Sequence, residues 1–404
     1  MDITQPLALL GGLSPQAFMK RHWQKKPLLI RNAVPGFNNA VPGFNSEVAA
    51  SGAGGGPLLA RAALFELAAN DGVESRLVAQ VVGKGSGKGT GKPNWQLKNG
   101  PFQRHSLPAL KQPNWTLLVQ GLDLHRDGIR ALMDQFRFVP DARLDDIMAS
   151  YATPGGGVGP HFDSYDVFLL QVRGRRRWQI SQQKDLTLVD GAPLKILANF
   201  VPEQTYVLEP GDMLYLPPRC AHDGVALDEC ITYSIGFQAP RRGDLARELL
   251  LRLADDAPDE VGPGLSGDPK QAAVNAPGEI PLQLLEFAQA ALARAVRDPA
   301  VLARALGELL TEPKSNVWFT AGGAGAASNF SSGRIALDRR TKMMFDAQHI
   351  FINSESFSAS GRDATLMKRL ADDRSLDARD VARCSADARG LLGTWIDAGW
   401  IHEC

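Results

Sequence analysis

His161 and Asp163 stand two residues apart in GPHFDSYDVFLLQV, residues 159–172. On an extended chain such residues project to the same side, so an imidazole and a carboxylate share one direction and Phe162 takes the other. One histidine and one carboxylate make two-thirds of the ligand set that holds non-haem Fe(II) and leaves positions open for oxygen and substrate. Isolated His-x-Asp pairs are common on surfaces and in caps, so a third ligand has to decide. Of the seven histidines, His222 stands out, because it ends LEPGDMLYLPPRCAH: a Pro-Gly-Asp turn, an apolar run, then a Pro-Pro corner. Pro217 and Pro218 fix the backbone and set His222 on a stiff loop end, the pre-set geometry that a ligand needs. Two rivals remain. Cys220 offers a thiolate, which would favour zinc, but it has no partner cysteine nearby. Asp166, three residues from Asp163, should face the opposite way.

Arg175, Arg176 and Arg177 follow a Gly174 turn and open a second strand, RRRWQI. Alternation puts Arg176 on one face and its two neighbours on the other. A single inward arginine near an iron site suits a bidentate pair with a carboxylate cosubstrate, whereas outward arginines would be solvated or would meet an acidic partner such as RNA. Asp146, Met148 and Ser150 share a face of the preceding strand. Thr232, Ser234 and Gly236 form a small, polar side of the last strand, as a pocket wall requires. GGGVG, residues 155–159, allows close backbone approach beside His161.

These residues must be positioned by short strands. DDIMASYA, DVFLLQV, RRRWQI, QTYVLE, DMLYLP and ITYSIGF crowd residues 145–237 without a long helix between them, which predicts a jelly-roll sandwich or barrel. Before them, Ser14 and Pro15 read as the cap and first residue of a helix that Pro27 stops ahead of a strand at 28–30. After 240 the chain turns helical. Asp244 is placed to cap LARELLLRLA, residues 256–280 read as a linker, and Asp298-Pro299 opens a further helix. Leu285, Ala288, Leu292 and Ala295 form one apolar stripe, and a helix pair of this kind could bury against itself, against the barrel or against a second copy. RIAL, KMMF and HIFI predict short strands, and DATLMKRLADD and ADARGLLGTWIDAGW predict helices, of a small α+β domain.

The chain has 404 residues, 44% of them hydrophobic, enough for two or three domains. Lysine plus arginine and aspartate plus glutamate both number 44, so a chain-wide field for nucleic acid is absent. No apolar run reaches membrane-spanning length, and MDITQPLALL lacks the basic start of a secretory signal. Four cysteines without CxxC spacing fit a reduced, cytoplasmic protein. GKGSGKGTGK, residues 83–92, has glycines only at odd positions, which excludes the phosphate-loop spacing and leaves a basic flexible loop. NAVPGFN occurs twice in tandem, at 32–38 and 39–45, and reads as a lengthened loop.

HWQKKPLLIR, ESRLVAQ, NWTLLVQGL, the block DDIMASYATPGGGVGPHFDSYDVFLLQVRGRRRW and LEPGDMLYLPPRCAHDGVAL span roughly residues 20–240. In them the sequence resembles the bacterial JmjC-type ribosomal oxygenases, Fe(II)- and 2-oxoglutarate-dependent protein hydroxylases of the cupin superfamily. The resemblance implies an α+β chain with a double-stranded β-helix catalytic domain (1–240), a helical dimerisation region (241–315) and a winged-helix-like domain (316–404). It implies His161, Asp163 and His222 as iron ligands, Arg176 as partner of the far 2-oxoglutarate carboxylate, and Ser150 beside the cosubstrate. Asp146, Tyr165 and Ser234 would hold a substrate arginine. The implied reaction uses O2 and hydroxylates an arginine at C3 in a large-subunit ribosomal protein, the sixteenth of its series. A histidine substrate, a cupin metalloenzyme without 2-oxoglutarate, and a non-enzymatic RNA-binding protein are the competing readings. A homodimer is expected; direct nucleic-acid binding is not.

Overall fold

The computed structural model describes residues 2–34, 59–81, 94–321 and 333–404. The Gly/Lys loop at 83–92 and the second NAVPGFN copy lie outside the described residues. The chain divides into two compact units, Met1–Ala239 and Pro240–Cys404.

The first unit is built on two antiparallel sheets. The larger has eight strands: β1 (Leu28–Ile30), β2 (Ser75–Val81), β3 (Asn94–Asn99), β4 (Trp115–Val119), β5 (Leu144–Ala152), β6 (Val167–Arg173), β9 (Met213–Leu216) and β11 (Cys230–Phe237). Their order is β1-β9-β6-β11-β5-β4-β2-β3. The smaller sheet is β10-β7-β8, formed by β7 (Arg176–Ser181), β8 (Gln204–Leu208) and β10 (Ala221–Ala226). The inner faces meet through Val167, Leu169, Leu214 and Leu216 on one side and Trp178, Ile180 and Leu208 on the other. This is the sandwich that the strand spacing predicts.

The outer face of the large sheet is also buried, which is why β4, β6 and β9 are covered along their whole length. Ile147, Tyr151, Phe168, Tyr233 and Ile235 pack there against Phe18 of helix α1 (Pro15–Arg21), Leu64 of α2 (Arg61–Ala68) and Leu132 of α3 (Asp127–Asp134). Ser14 caps α1 by accepting from the Ala17 amide at 3.2 Å, and β1 follows Pro27, as read from the sequence. A polar knot sits inside this apolar layer. The fully buried Asp166 accepts from Tyr215 Oη at 2.6 Å and from Gln24 Nε2 at 3.1 Å, with Arg143 Nη2 at 3.5 Å. Tyr215 Oη in turn accepts from the Gln24 amide at 2.8 Å. Burial and the Asp166 carboxylate together push the Tyr215 phenol far up, so it stays a donor.

In the second unit, helix α4 (Arg242–Val261) packs on α5 (Leu282–Ala295) and α6 (Pro299–Thr311). Helix α6 also lies on the sheet β13-β14-β15, made of Met343–Phe345, His349–Ile352 and Glu355–Ser358. A further sheet joins β12 (Ile335–Leu337), β16 (Ser375–Leu376) and β17 (Ile401–Glu403) around α7 (Gly361–Asp373), α8 (Ala378–Ala382) and α9 (Ala386–Asp397). Asp298 caps α6 through the Ala300 amide at 2.8 Å, as expected. The Asp244 expectation is corrected: α4 begins three residues after Ala239, and Asp244 lies inside its first turn, where it still complements the helix dipole. The helix also runs on through Pro258, shortening the linker read at 256–280.

The knot on Asp166 predicts a specific stability effect. Tyr215→Phe keeps the ring and removes the hydroxyl, leaving a buried carboxylate short of one donor; unfolding by denaturant should report a loss of about 1–3 kcal/mol.

Candidate metal and dicarboxylate site

The two histidines meet because the chain makes a corner. Strand β9 ends at Leu216, and Pro217–Cys220 forms a turn closed by the Cys220 amide on the Pro217 carbonyl at 3.2 Å. Arg219 takes φ +66° in this turn, a conformation that glycine adopts more readily, and its amide donates to the Asp163 carbonyl at 2.7 Å. The chain thus leaves the large sheet and enters β10 of the small one. His222 is the second residue of β10, not the end of a loop as the Pro-Pro run suggests; alanine, aspartate and glycine in AHDGVA hid the strand. Directly opposite, His161 forms an isolated antiparallel bridge with it: the His161 amide donates to the His222 carbonyl at 2.9 Å, and the His222 amide donates to the His161 carbonyl at 2.8 Å.

The bridge sets the rings 4.2 Å apart between centroids. Nδ1 of His161 lies 2.8 Å from the Gly159 carbonyl, and Nδ1 of His222 lies 2.9 Å from the Cys220 carbonyl. A carbonyl only accepts, so each Nδ1 carries its proton and each Nε2 keeps a lone pair for a metal. Burial first, then the neighbouring His161, brings His222 down to about 4, so it is a neutral donor near neutral pH. His222 Nε2 is 3.7 Å from Asp163 Oδ2. One ligand atom each from His161, Asp163 and His222 lie within 4.8 Å of one another, and this is the only such group of three or more among the described residues. Two imidazoles and one carboxylate fit a divalent first-row metal.

Neither rival joins them. Cys220 is buried in the inter-sheet cluster; its thiol donates toward the Ser181 carbonyl at 3.6 Å, and burial pushes it up to about 11. Asp166 belongs to the knot on the other face of the sheet.

Arg176 faces inward, 3% exposed, while Arg175 is on the surface paired with Asp228 at 2.9 Å. Its Nη1 donates to Ser150 Oγ at 3.0 Å. Its Nε and Nη2 are buried without a hydrogen-bond partner among the described residues. A buried guanidinium with two unused donors is costly unless an anion completes it, and a carboxylate matches its geometry. The donor set therefore fits a dicarboxylate anchored here at one end.

On the same wall, Ser234 lies in register with Met148, and Thr232 with Ser150. Asp146 is buried, and its Oδ2 accepts from the Gly121 amide at 3.1 Å. Tyr165 is 38% exposed at the rim. Partial burial, then the charges of Asp163, Asp146 and Asp145, push its phenol far up, so it is a neutral hydroxyl next to a negative wall. Sequence reasoning passed over Trp178, although the period-2 rule that selects Arg176 places it on the same face.

Known proteins resemble this chain in sequence and fold. A JmjC-domain family model matches residues 131–245, and a ROXA-like winged-helix model matches 288–402. The chain is 34% identical over 301 residues to the ribosomal protein uL16 3-hydroxylase of Escherichia coli K12, covering 74% of this chain and 71% of that protein. It is 32% identical over 260 residues to a probable ribosomal oxygenase of Haemophilus influenzae, covering 61% of this chain and 55% of that one. The structure of YcfD, a ribosomal oxygenase from Escherichia coli in complex with cobalt and 2-oxoglutarate, superposes with a TM-score of 0.75 at 27% identity, covering 96% of this chain and 98% of that one. The JmjC match lies over the strands that carry the histidine pair and Arg176, and the structural likeness runs through both units: this chain belongs to the JmjC-domain ribosomal oxygenases.

Proposed function

We propose that the chain is an Fe(II)- and 2-oxoglutarate-dependent oxygenase that hydroxylates a ribosomal protein, with an arginine of uL16 as its target. One observation carries the reading: a buried arginine with two unused donors shares the inter-sheet space with a His-Asp-His cluster. The uL16 3-hydroxylase and the cobalt and 2-oxoglutarate complex support the same assignment.

His161, Asp163 and His222 hold the metal, with the backbone bonds at both Nδ1 atoms fixing the rings. Arg176 and Ser150 hold the far carboxylate of 2-oxoglutarate. Asp146 receives the substrate guanidinium, and the hydroxyls of Tyr165 and Ser234 orient it, so that one C–H is presented to the metal. Iron supplies the oxidation when bound, using O2 and 2-oxoglutarate and releasing succinate and carbon dioxide. The two sheets keep water from the reacting atoms. Asp146 favours a cation over a neutral imidazole, which is why arginine is preferred to histidine as target. We assign residues 1–240 to catalysis, 241–315 to dimerisation and 316–404 to the winged-helix part, in a cytoplasmic enzyme that does not bind nucleic acid directly.

Purified protein with Fe(II), 2-oxoglutarate, O2 and a uL16 peptide bearing the target arginine should add about 16 Da, one oxygen atom. The gain should vanish in His161→Ala; a peptide that stays unmodified while succinate forms would overturn the substrate, and absence of both would overturn the reaction. Arg176→Met should raise the KM for 2-oxoglutarate at least about thirtyfold, as expected for losing a buried charged partner; an unchanged KM would point to a metalloenzyme without this cosubstrate. The apolar stripe on α5 leaves Leu285 49% and Leu292 69% exposed, a face for a second copy. Leu285→Glu with Leu292→Glu should turn a dimer into a monomer in sedimentation, with the metal site intact.

A further inference from the structure

We propose that Trp178 is a further cosubstrate-binding residue, whose indole N–H donates a hydrogen bond to the 2-oxoglutarate carboxylate that Arg176 holds. The inference rests on the reading above and adds a residue to it.

Three facts place the indole. Along the β7–β10 pair the register is His222 opposite Ile180, Gly224 opposite Trp178, and Ala226 opposite Arg176. The layer of the metal ligand and the layer of the anchoring arginine are four residues apart, about 13 Å along the strand, with Trp178 midway. A short dicarboxylate bound to the metal and met by the long arm of Arg176 has to pass over that middle layer. The distances agree: the Trp178 ring is 5.8 Å from the His222 ring between centroids, and the Arg176 guanidinium carbon lies 5.7 Å from the Trp178 ring centroid.

Second, Trp178 is 5% exposed, and its Nε1 is buried without a hydrogen-bond partner among the described residues. Buried tryptophan N–H groups ordinarily find an acceptor. The unused donors of Trp178 and Arg176 thus come from consecutive inward positions of one strand. They are donors only, which selects an acceptor with several lone pairs; a carboxylate supplies them.

Third, the backbone is shaped around the indole. A Cβ at Gly224 would lie 2.5 Å from the far edge of the Trp178 ring. Any larger residue there would displace it. That contact involves the benzo edge, opposite the N–H, so the donor edge is left pointing away from β10's backbone.

Trp178→Phe removes the N–H and keeps an aromatic ring. The full chain is loaded with Mn(II) in the absence of oxygen, so that binding is read without turnover. Calorimetric titration with 2-oxoglutarate should give a Kd roughly tenfold weaker in Trp178→Phe, the usual loss for a hydrogen bond to a charged acceptor. For the indole N–H itself, 15N-labelled tryptophan in Zn(II)-loaded protein is observed by NMR. The resonance missing from Trp178→Phe should move on addition of 2-oxoglutarate. Wild-type affinity in Trp178→Phe overturns the proposal, as does weaker binding with an unmoved indole resonance, which would reduce Trp178 to packing. A wild-type protein that binds no 2-oxoglutarate overturns the functional reading itself, and Trp178 with it.

Discussion

The reciprocal pair of backbone bonds between His161 and His222 is the constraint on which the site depends. Each histidine is fixed by a local bond from its own ring to a carbonyl two residues earlier, Gly159 in one case and Cys220 in the other. Those bonds orient the rings but do not bring them together. The bridge does, by a reciprocal pair of amide-to-carbonyl bonds between two segments of the chain 61 positions apart in sequence. Because bridged residues lie opposite each other, the side chains project from one spot. Arg219 extends the pairing by one more bond to the Asp163 carbonyl, and so ties the carboxylate ligand to the same corner. Arg219 adopts a left-handed conformation there, at a cost that the surrounding turn must offset.

The large sheet makes this corner rigid by being buried on both faces. Its outer face carries the helices and the Asp166 knot; its inner face carries Ser150, Asp146 and Ser234. Asp163 and Asp166 are three residues apart yet serve opposite faces, one toward the histidines and one toward Tyr215 and Gln24. The same alternation separates the exposed, paired Arg175 from the buried Arg176.

That alternation is also why much of the site was legible in the sequence. Period-2 reading placed Asp146 with Ser150, Thr232 with Ser234, and Arg176 inward, because these residues lie in strands with strong apolar neighbours. It failed where the local signal was weak. His222 sits in a strand whose other residues are small or polar, and strand pairing through β7 overrides that propensity. Helix α4 continues past Pro258 although proline usually marks an end. Strands β2 and β4 were met only as fragments of a resemblance, and β3, which pairs with β2, was not read at all: NWQLKN is polar at most positions. Trp178 was legible by the rule that found Arg176, but a tryptophan in a strand reads first as core. Only its unused N–H sets it apart, and no spacing in the sequence carries that.

The charges of the site follow from its two ends. Arg176 is a cation held by a neutral hydroxyl, so its charge is left for a ligand. Asp146 stands at the other end, buried, with its Oδ2 accepting from the Gly121 amide. Between them His222 is a neutral imidazole, and Asp163 is the carboxylate of the cluster that would face a metal. In the proposed reading a dicarboxylate is drawn to the first end and a guanidinium to the second, while the opposite arrangement sets like charges together at both ends. Burial strengthens that discrimination, because the same low dielectric that makes an unpaired Arg176 costly makes a wrong partner costly too. Orientation would then be fixed before any bond to the metal forms, by charges that the two sheets keep out of water.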